Sequence, residues 1–199
     1  MHALDGSPQF RLRPAVEEDL PALHTLIAAS VRGLQAADYT PAQIDGALGT
    51  VLGVDTQLIR DRTYFVVESQ EGELGGSPVL AGCGGWSRRK TLFGADHGPG
   101  REPDLLDPAH DAARIRAIFV HPRFARMGLG SMILAHVAAE AVGAGFRRFE
   151  MGSTLTGVPL YLLKGYVEGE RIAVPLENGE SLPVVRMTKT FLLHTDHGI

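Results

Sequence analysis

Apolar and polar positions alternate along the chain in patterns that predict an ordered succession of strands and helices. The segment FRLRP at residues 10–14 alternates with a period of two, which indicates a first strand. Leucine, isoleucine and valine then recur at helical spacing from Leu20 to Val31, after three acidic residues suited to the first turn of a helix. A second helix is predicted from Thr40, because Thr-Pro-Ala-Gln supplies a capping residue, a proline at the first helical position and a capping-box glutamine.

The rest of the chain continues with strands, two further helices and one long loop. Residues 87–111 are rich in glycine, proline, aspartate and histidine, and we predict a loop there. The Asn-Gly pair at 178–179 predicts a tight hairpin turn. The predicted strands are Tyr64–Glu68, Val79–Trp86, Ala113–Val120, Phe146–Met151, Tyr166–Leu176 and Leu182–Phe191, and the predicted helices are Met127–Ala144 and Val158–Lys164. We expect one domain at residues 10–192, after a disordered leader at 1–9 and before a short tail at 193–199.

Composition and charge narrow the classes of function. The 199 residues are 44% hydrophobic and 21% charged, and the net charge of −4 gives no general attraction to nucleic acid or to anionic membranes. No apolar run approaches the roughly 18 residues that a membrane-spanning helix needs. Cys83 is the single cysteine and cannot form an internal disulfide, and the first thirty residues carry no secretory signal. We therefore predict a soluble, cytoplasmic protein with no nucleic-acid or membrane partner.

The stretch IFVHPRFARMGLGSMIL at residues 118–134 is the candidate binding motif. It places a glycine-containing turn between a strand and a helix, so that the N–H groups of the helix N-terminus face outward and Gly128 and Gly130 allow close approach of an anion. Arg123 and Arg126 add positive charge. A dinucleotide-binding fingerprint would need a glycine where Ile133 stands, and a P-loop would need a Gly-Lys-Ser/Thr ending, which this stretch lacks. The pattern predicts a pyrophosphate-binding site.

This stretch resembles the coenzyme A motif of the GNAT superfamily of N-acetyltransferases, whose pattern is Gln/Arg-x-x-Gly-x-Gly/Ala after a strand that ends in a Val-His-Pro-like sequence. The chain departs from the pattern with Ala125 at the first position and Arg126 next. Further along, PLYLLKGY at 159–166 resembles the FYEKLGF helix of the family, including the tyrosine at Tyr161. The resemblance extends over roughly residues 10–191.

The resemblance implies both a fold and a function. The fold would be a single domain of the α/β (α+β) class, with a mixed central sheet of about six to seven strands flanked by helices and splayed at the coenzyme-binding strand. Acetyl-coenzyme A would be the co-substrate, and a primary amine of a small molecule or a protein would attack it directly while Tyr161 acts as the general acid. A homodimer through the closing hairpin would be compatible with this fold. The implied coenzyme-binding residues are Ile118, Phe119, Val120, Arg126, Met127, Gly128, Leu129, Gly130 and Ser131.

Other chemistry-bearing residues have open interpretations at this point. Glu150 is a candidate general base if its strand points it into the cleft, but alternation equally allows it to face solvent. His121 is interpreted as a strand-end residue and Cys83 as a small apolar filler. The histidines and aspartates at 96–111 match no zinc spacing, so we predict no metal site and a solvated acidic loop. The alternative function is a non-catalytic acyl-coenzyme A sensor or interaction domain that keeps the binding turn.

Overall fold

The computed structural model describes residues 10–70, 79–98 and 102–191 of the chain. The predicted leader and the predicted C-terminal tail lie outside the described residues. The strands are β1 Phe10–Pro14, β2 Tyr64–Ser69, β3 Val79–Ser87, β4 Ala113–Val120, β5 Arg148–Thr154, β6 Val167–Pro175 and β7 Ser181–Thr190. The helices are α1 Leu20–Leu34, α2 Pro41–Ala47, α3 Thr56–Arg60, α4 Leu129–Gly143 and α5 Val158–Leu163.

The strands form one mixed seven-stranded sheet in the order β1-β2-β3-β4-β5-β7-β6. Neighbouring strands are antiparallel except β4 and β5, which are parallel and pair only at Ala113 with Phe149 and at Arg114 with Glu150. Beyond these two pairs β4 and β5 separate. The single α/β domain, its mixed sheet and the splay at β4 confirm the predicted fold class.

Helices cover both faces of the sheet, because strands buried on both sides need an apolar layer against each. On one face Leu23, Ile27 and Val31 of α1 belong to the same buried cluster as Val66 of β2. On the other face the buried side chains of α4 join those of β3, β4 and β5. Within the described residues, no helix is long and apolar enough to cross a membrane.

Most predicted elements are present, with shifted boundaries. Helix α2 begins with the predicted capping box, in which Thr40 Oγ1 accepts a hydrogen bond from Gln43 N, but it ends at Ala47 because Leu48 is extended. Helix α4 starts at Leu129, two residues later than predicted, because Gly128 is left-handed with φ 82°. The five-residue helix α3 was not predicted. It is shorter than a hydrophobic period can reveal.

Candidate active site

The separation of β4 from β5 opens a cleft that runs into the middle of the domain. Residues of both strands line it, together with Tyr161 of α5. Gln35, which follows α1, and residues of the segments 51–53 and 92–94 also contribute to the lining. The cavity volume is about 70 Å³, so its inner part is narrow. Of the residues singled out from the sequence, Ile118, Phe119 and Tyr161 line this cleft.

A β-bulge in β4 shapes one wall of the cleft. Ala117 has φ 52°, and Ala117 and Ile118 together lie opposite Gly84 of β3, where the register between the two strands shifts. A bulge leaves its extra residue outside the hydrogen-bond ladder of the strand pair. The Ala117 carbonyl accepts a hydrogen bond from the Tyr64 hydroxyl at 3.4 Å and one from the Cys83 thiol at 3.8 Å, so the bulge is held from within the core.

The sequence around Gly84 explains how β3 tolerates this bulge. A Cβ atom placed on Gly84 would lie 2.5 Å from Ile133 Cγ2 and 2.8 Å from Ile118 Cγ1. Only a glycine leaves room for the bulged strand and for α4 on the same side. The bulge was not predicted from the sequence, since alanine at the left-handed position gives no signal of it.

The turn between β4 and α4 presents the predicted anion site at the outer end of β4. His121 accepts a hydrogen bond from Arg123 N through Nδ1 at 3.2 Å, which starts a single helical turn after β4. Arg126 and Gly128 are both left-handed, with φ 64° and 82°. The first N–H groups of α4 have no acceptor within the helix, as at any helix N-terminus.

The two glycines of the motif have different structural roles. At Gly128 a Cβ atom would meet nothing within 4 Å, so the residue is needed for its backbone conformation and leaves open space beside it. At Gly130 a Cβ atom would lie 3.1 Å from Leu160 Cδ2, so this residue lets α4 approach α5 closely. The helix N-terminus is therefore held next to the helix that carries Tyr161.

Tyr161 is the predicted acid, and the structure places it inside the cleft. Its side chain is 8% exposed, and burial raises the pKa of its hydroxyl above the ordinary value, which keeps the phenol protonated. The ring packs edge-on against Tyr166, with centroids 5.8 Å apart. A Cβ atom on Gly157 would lie 2.9 Å from Tyr161 Cε2, so glycine at this position makes room for the ring.

Glu150, the candidate base, lies apart from Tyr161. It is 9% exposed and forms ion pairs with Arg114 of β4 and Arg186 of β7. Glu150 is not among the described residues that line the cleft. The structure thus brings together the bulge and Tyr161 but does not bring Glu150 to them.

Cys83 is fully buried, and burial raises the pKa of its thiol to about 12. The Tyr64 hydroxyl donates a hydrogen bond to its sulfur at 3.2 Å. A thiol with this environment stays protonated near neutral pH and is a poor nucleophile. The geometry agrees with the interpretation of Cys83 as a small core residue.

A buried ion pair that the sequence did not predict lies beside the cleft, and its arginine is part of the lining. Arg116 of β4 and Asp55, the capping residue of α3, are 3% and 2% exposed and lie 2.9 Å apart. Arg116 also donates hydrogen bonds to the carbonyls of Thr91 and Gly94. The sequence ARIRAIFV places Arg116 in a buried strand. A buried arginine needs a charged or polar partner, and this was the one indication of such a partner in the sequence.

The loop that follows β3 is hydrogen-bonded to residues 50–56 next to the cleft. Ala95 N donates to Thr50 O at 2.6 Å, and Asp96 N donates to Val54 O at 3.1 Å. The Asp96 carboxylate accepts a hydrogen bond from Thr56 N at 2.9 Å, at the start of α3. The prediction of a solvated acidic loop is thus wrong for Asp96, which binds the N-terminus of α3.

The sequence model described as the acetyltransferase (GNAT) family matches residues 30–162, which is more than half of the chain. The chain therefore belongs to the GNAT acetyltransferase family. No curated protein sequence shows significant similarity to it.

Solved structures share the fold over almost the whole chain. A GCN5-related N-acetyltransferase from Rhodopseudomonas palustris superposes with a TM-score of 0.63 at 21% identity, covering 96% of this chain and 100% of the other. The PaiA N-acetyltransferase from Thermoplasma acidophilum, solved in complex with coenzyme A, gives 0.60 at 10% identity, covering 92% and 99%. YncA from Salmonella typhimurium, a putative acetyltransferase solved with its cofactor acetyl-coenzyme A, gives 0.57 at 19% identity, covering 94% and 96%.

Proposed function

We propose that this protein is an N-acetyltransferase that moves the acetyl group of acetyl-coenzyme A to a primary amine by direct attack, with Tyr161 as the general acid. The observation that carries the proposal is that the bulge of β4 and the buried Tyr161 share one cleft. Membership of the GNAT family supports acetyl transfer. The coenzyme A and acetyl-coenzyme A bound to two proteins of the same fold support the choice of co-substrate.

In this proposal the coenzyme lies along β4 and across the N-terminus of α4. The pantetheine arm adds to the free edge of β4 beside Ile118, Phe119 and Val120, as an extra strand would. The pyrophosphate binds the turn from Arg126 through Gly128 to Ser131, where the helix dipole and unpaired N–H groups favour an anion. Gly128 leaves the space for it, because its missing side chain faces open solvent.

The chemical step needs an electrophile, an oxyanion site and an acid. The amine nitrogen attacks the thioester carbonyl and a C–N bond forms, while an N–H at the β4 bulge stabilises the oxygen that becomes negative. The C–S bond then breaks, and Tyr161 donates its proton to the departing sulfur. The ordinary pKa of a thiol is about 8.5. Burial raises the pKa of Tyr161, and desolvation of the departing thiolate in the same cleft raises its proton affinity as well, so the two effects oppose each other in the proton transfer.

The amine must reach the thioester without its extra proton. An alkyl amine with a pKa of about 10.4 is neutral about one time in a thousand at neutral pH, a cost of roughly 4 kcal/mol. In the described wall of the cleft there is no carboxylate or imidazole to accept the proton. Glu150 is engaged by two arginines, so we do not assign it the role of base. We propose that this proton and the one that the nitrogen loses after attack both leave through water, and that water returns a proton to the Tyr161 phenolate after the thiol has formed.

We also propose a cytoplasmic location, and we propose the closing hairpin as the contact surface if the protein forms a homodimer. A fully buried free thiol at Cys83 is compatible with a reducing compartment. Strand β6 forms one edge of the sheet and exposes Val167 to 66%, which gives the closing hairpin an open strand edge with an exposed apolar side chain for contact with a second copy. Sedimentation of the purified protein tests the dimer.

Isothermal titration with acetyl-coenzyme A tests the binding half of the proposal. We expect micromolar affinity for the natural chain and loss of binding in Gly128→Glu, whose carboxylate occupies the open space and repels the pyrophosphate. Gly128→Ala is the matched control, because it has the same strained backbone without the charge, and we expect it to bind within a few-fold of the natural chain. Absence of binding by the natural chain would contradict the proposal.

Release of coenzyme A thiol in the presence of amines tests the catalytic half. Thiol release that depends on both amine and acetyl-coenzyme A is the expected result. Tight binding without release for any primary amine would instead favour an acyl-coenzyme A sensor and would contradict the assignment of Tyr161 as an acid.

A further inference from the structure

Gln35 is a buried polar residue in the cleft that the proposed chemistry does not use. It follows the last residue of α1, is 5% exposed and lines the cleft. Its side-chain oxygen Oε1 has no hydrogen-bond partner among the described residues. Most buried side-chain oxygens in folded proteins accept a hydrogen bond. An oxygen inside a cleft that accepts none therefore indicates that a bound ligand donates a hydrogen bond to it.

The cleft that Gln35 lines is narrow, and part of its lining is apolar. Leu52, Leu92 and Phe93 line it, and the Phe93 ring lies over β5 so closely that a Cβ atom on Gly152 would be 3.0 Å from Phe93 Cδ1. The cavity of about 70 Å³ is roughly half the size of an engineered cavity of about 150 Å³ that holds benzene. An amine with a small body fits this volume, and Leu52, Leu92 and Phe93 offer that body apolar contacts.

The charges near this wall disfavour an acceptor with several ammonium groups. Arg116 is the charged residue in the described lining, and its guanidinium is bonded to Asp55 and to two backbone carbonyls. A second ammonium group would lose its water among apolar side chains, near a buried arginine. No carboxylate in the described lining offsets that loss.

We infer that the acceptor is a compact aliphatic primary monoamine, that Gln35 Oε1 accepts a hydrogen bond from its nitrogen, and that Phe93 limits the size of its apolar body. This inference rests on the proposed acetyl transfer and adds the class of acceptor and the residues that select it. Accepting a hydrogen bond from the amine orients the nitrogen lone pair toward the thioester beside the β4 bulge. Gln35 thereby satisfies its own buried oxygen only when the acceptor is bound.

Steady-state thiol release with isobutylamine, 2-phenylethylamine and spermidine tests this assignment. For the natural chain we expect kcat/KM for isobutylamine to exceed that for spermidine at least tenfold. Gln35→Met keeps the length of the side chain but removes the acceptor, and it should raise KM for isobutylamine about tenfold. Gln35→Glu retains an acceptor oxygen and should keep KM for isobutylamine within threefold. Its negative charge should lower the ratio of kcat/KM for isobutylamine to that for spermidine.

A third variant tests the size limit on the acceptor. Phe93→Ala removes the ring that lies over Gly152 and should raise kcat/KM for 2-phenylethylamine about tenfold relative to isobutylamine. Titration with acetyl-coenzyme A should give the natural affinity in all three variants. That readout also shows whether a variant is folded.

Several results would overturn the inference. An unchanged KM in Gln35→Met would remove the proposed hydrogen bond, and equal losses in Gln35→Met and Gln35→Glu would show a structural role. Equal use of spermidine and isobutylamine by the natural chain would exclude the monoamine class. Failure of the proposed function itself would be distinguishable, because the natural chain would then fail to bind acetyl-coenzyme A or would release no thiol with any amine.

Discussion

Arg114 of β4 and Glu150 of β5 face each other in the last register pair that joins the two strands, and their side chains form an ion pair where the cleft begins. Arg186 of β7 binds the other oxygen of the same carboxylate. Glu150 therefore ties three strands together at the apex of the splay. This geometry favours a role in fixing the angle between β4 and β5.

Glu150→Gln should weaken the fold without changing how activity responds to acid. Two arginines would lose a charged partner at a partly buried site, so we expect the free energy of unfolding to fall by about 2 kcal/mol, between the values for surface and buried ion pairs. Urea unfolding measures this change. The acid side of the profile of kcat/KM against pH should keep its shape. A flattened acid side would identify Glu150 as the base and contradict this assignment.

Tyr161→Phe should slow turnover by about 10² to 10³, the usual contribution of a positioned proton donor. The affinity for acetyl-coenzyme A should stay the same, because the phenyl ring still fills the space beside Gly157. Tyr166→Phe is the matched control, since Tyr166 is also buried and its ring contacts Tyr161, but it lies outside the described lining of the cleft. We expect near-natural turnover from it. Equal losses in both variants would attribute the effect to packing.

Arg116→Met should destabilise the protein by about 3–5 kcal/mol, because it removes a charged partner of the buried Asp55 carboxylate. Arg32→Met is the comparison, because Arg32 and Asp45 form an exposed ion pair with side chains 58% and 61% exposed. Loss of an exposed pair should cost less than about 1 kcal/mol. Denaturant midpoints of the two variants measure both values. Similar values would show that burial of the Arg116 pair has no energetic weight.

The features of the proposed site that the sequence indicated are those that depend on local patterns. The turn at Gly128 follows from glycine between a strand and a helix, and Tyr161 follows from a short motif at a fixed distance from it. Both depend on residues near one another in sequence. Their positions in the fold could be inferred because the order of strands and helices matched a known arrangement.

The parts that the sequence did not predict arise from contacts between distant residues. Arg116 and Asp55 are 61 positions apart, and neither residue type indicates its partner. Phe93 lies in a segment without periodicity, and its packing over Gly152 depends on how that loop is fastened to residues 50–56. The unpaired oxygen of Gln35 is visible only when the surrounding cleft is complete.

Cys83 should make stability decrease at mildly alkaline pH. Burial raises the pKa of its thiol to about 12 in the folded protein, whereas in the unfolded chain it is about 8.5. Above pH 8.5 the unfolded state therefore binds fewer protons than the folded state, and the free energy of unfolding falls as pH rises. The slope approaches about 1.4 kcal/mol per pH unit for one such group and is absent well below pH 8.5. Denaturant unfolding between about pH 7 and pH 10 measures it.

Cys83→Ala separates this effect from that of the buried tyrosines. The variant should lose stability at pH 7, because the small cavity and the lost hydrogen bond to Tyr64 weaken the core, but its stability should stay level up to about pH 10. Tyr161→Phe should leave the decrease below pH 10 unchanged, because the unfolded tyrosine ionises only above about that value. If natural protein and Cys83→Ala lose stability in parallel from pH 8.5, the thiol is not the group responsible and its burial does not set the alkaline limit of the fold.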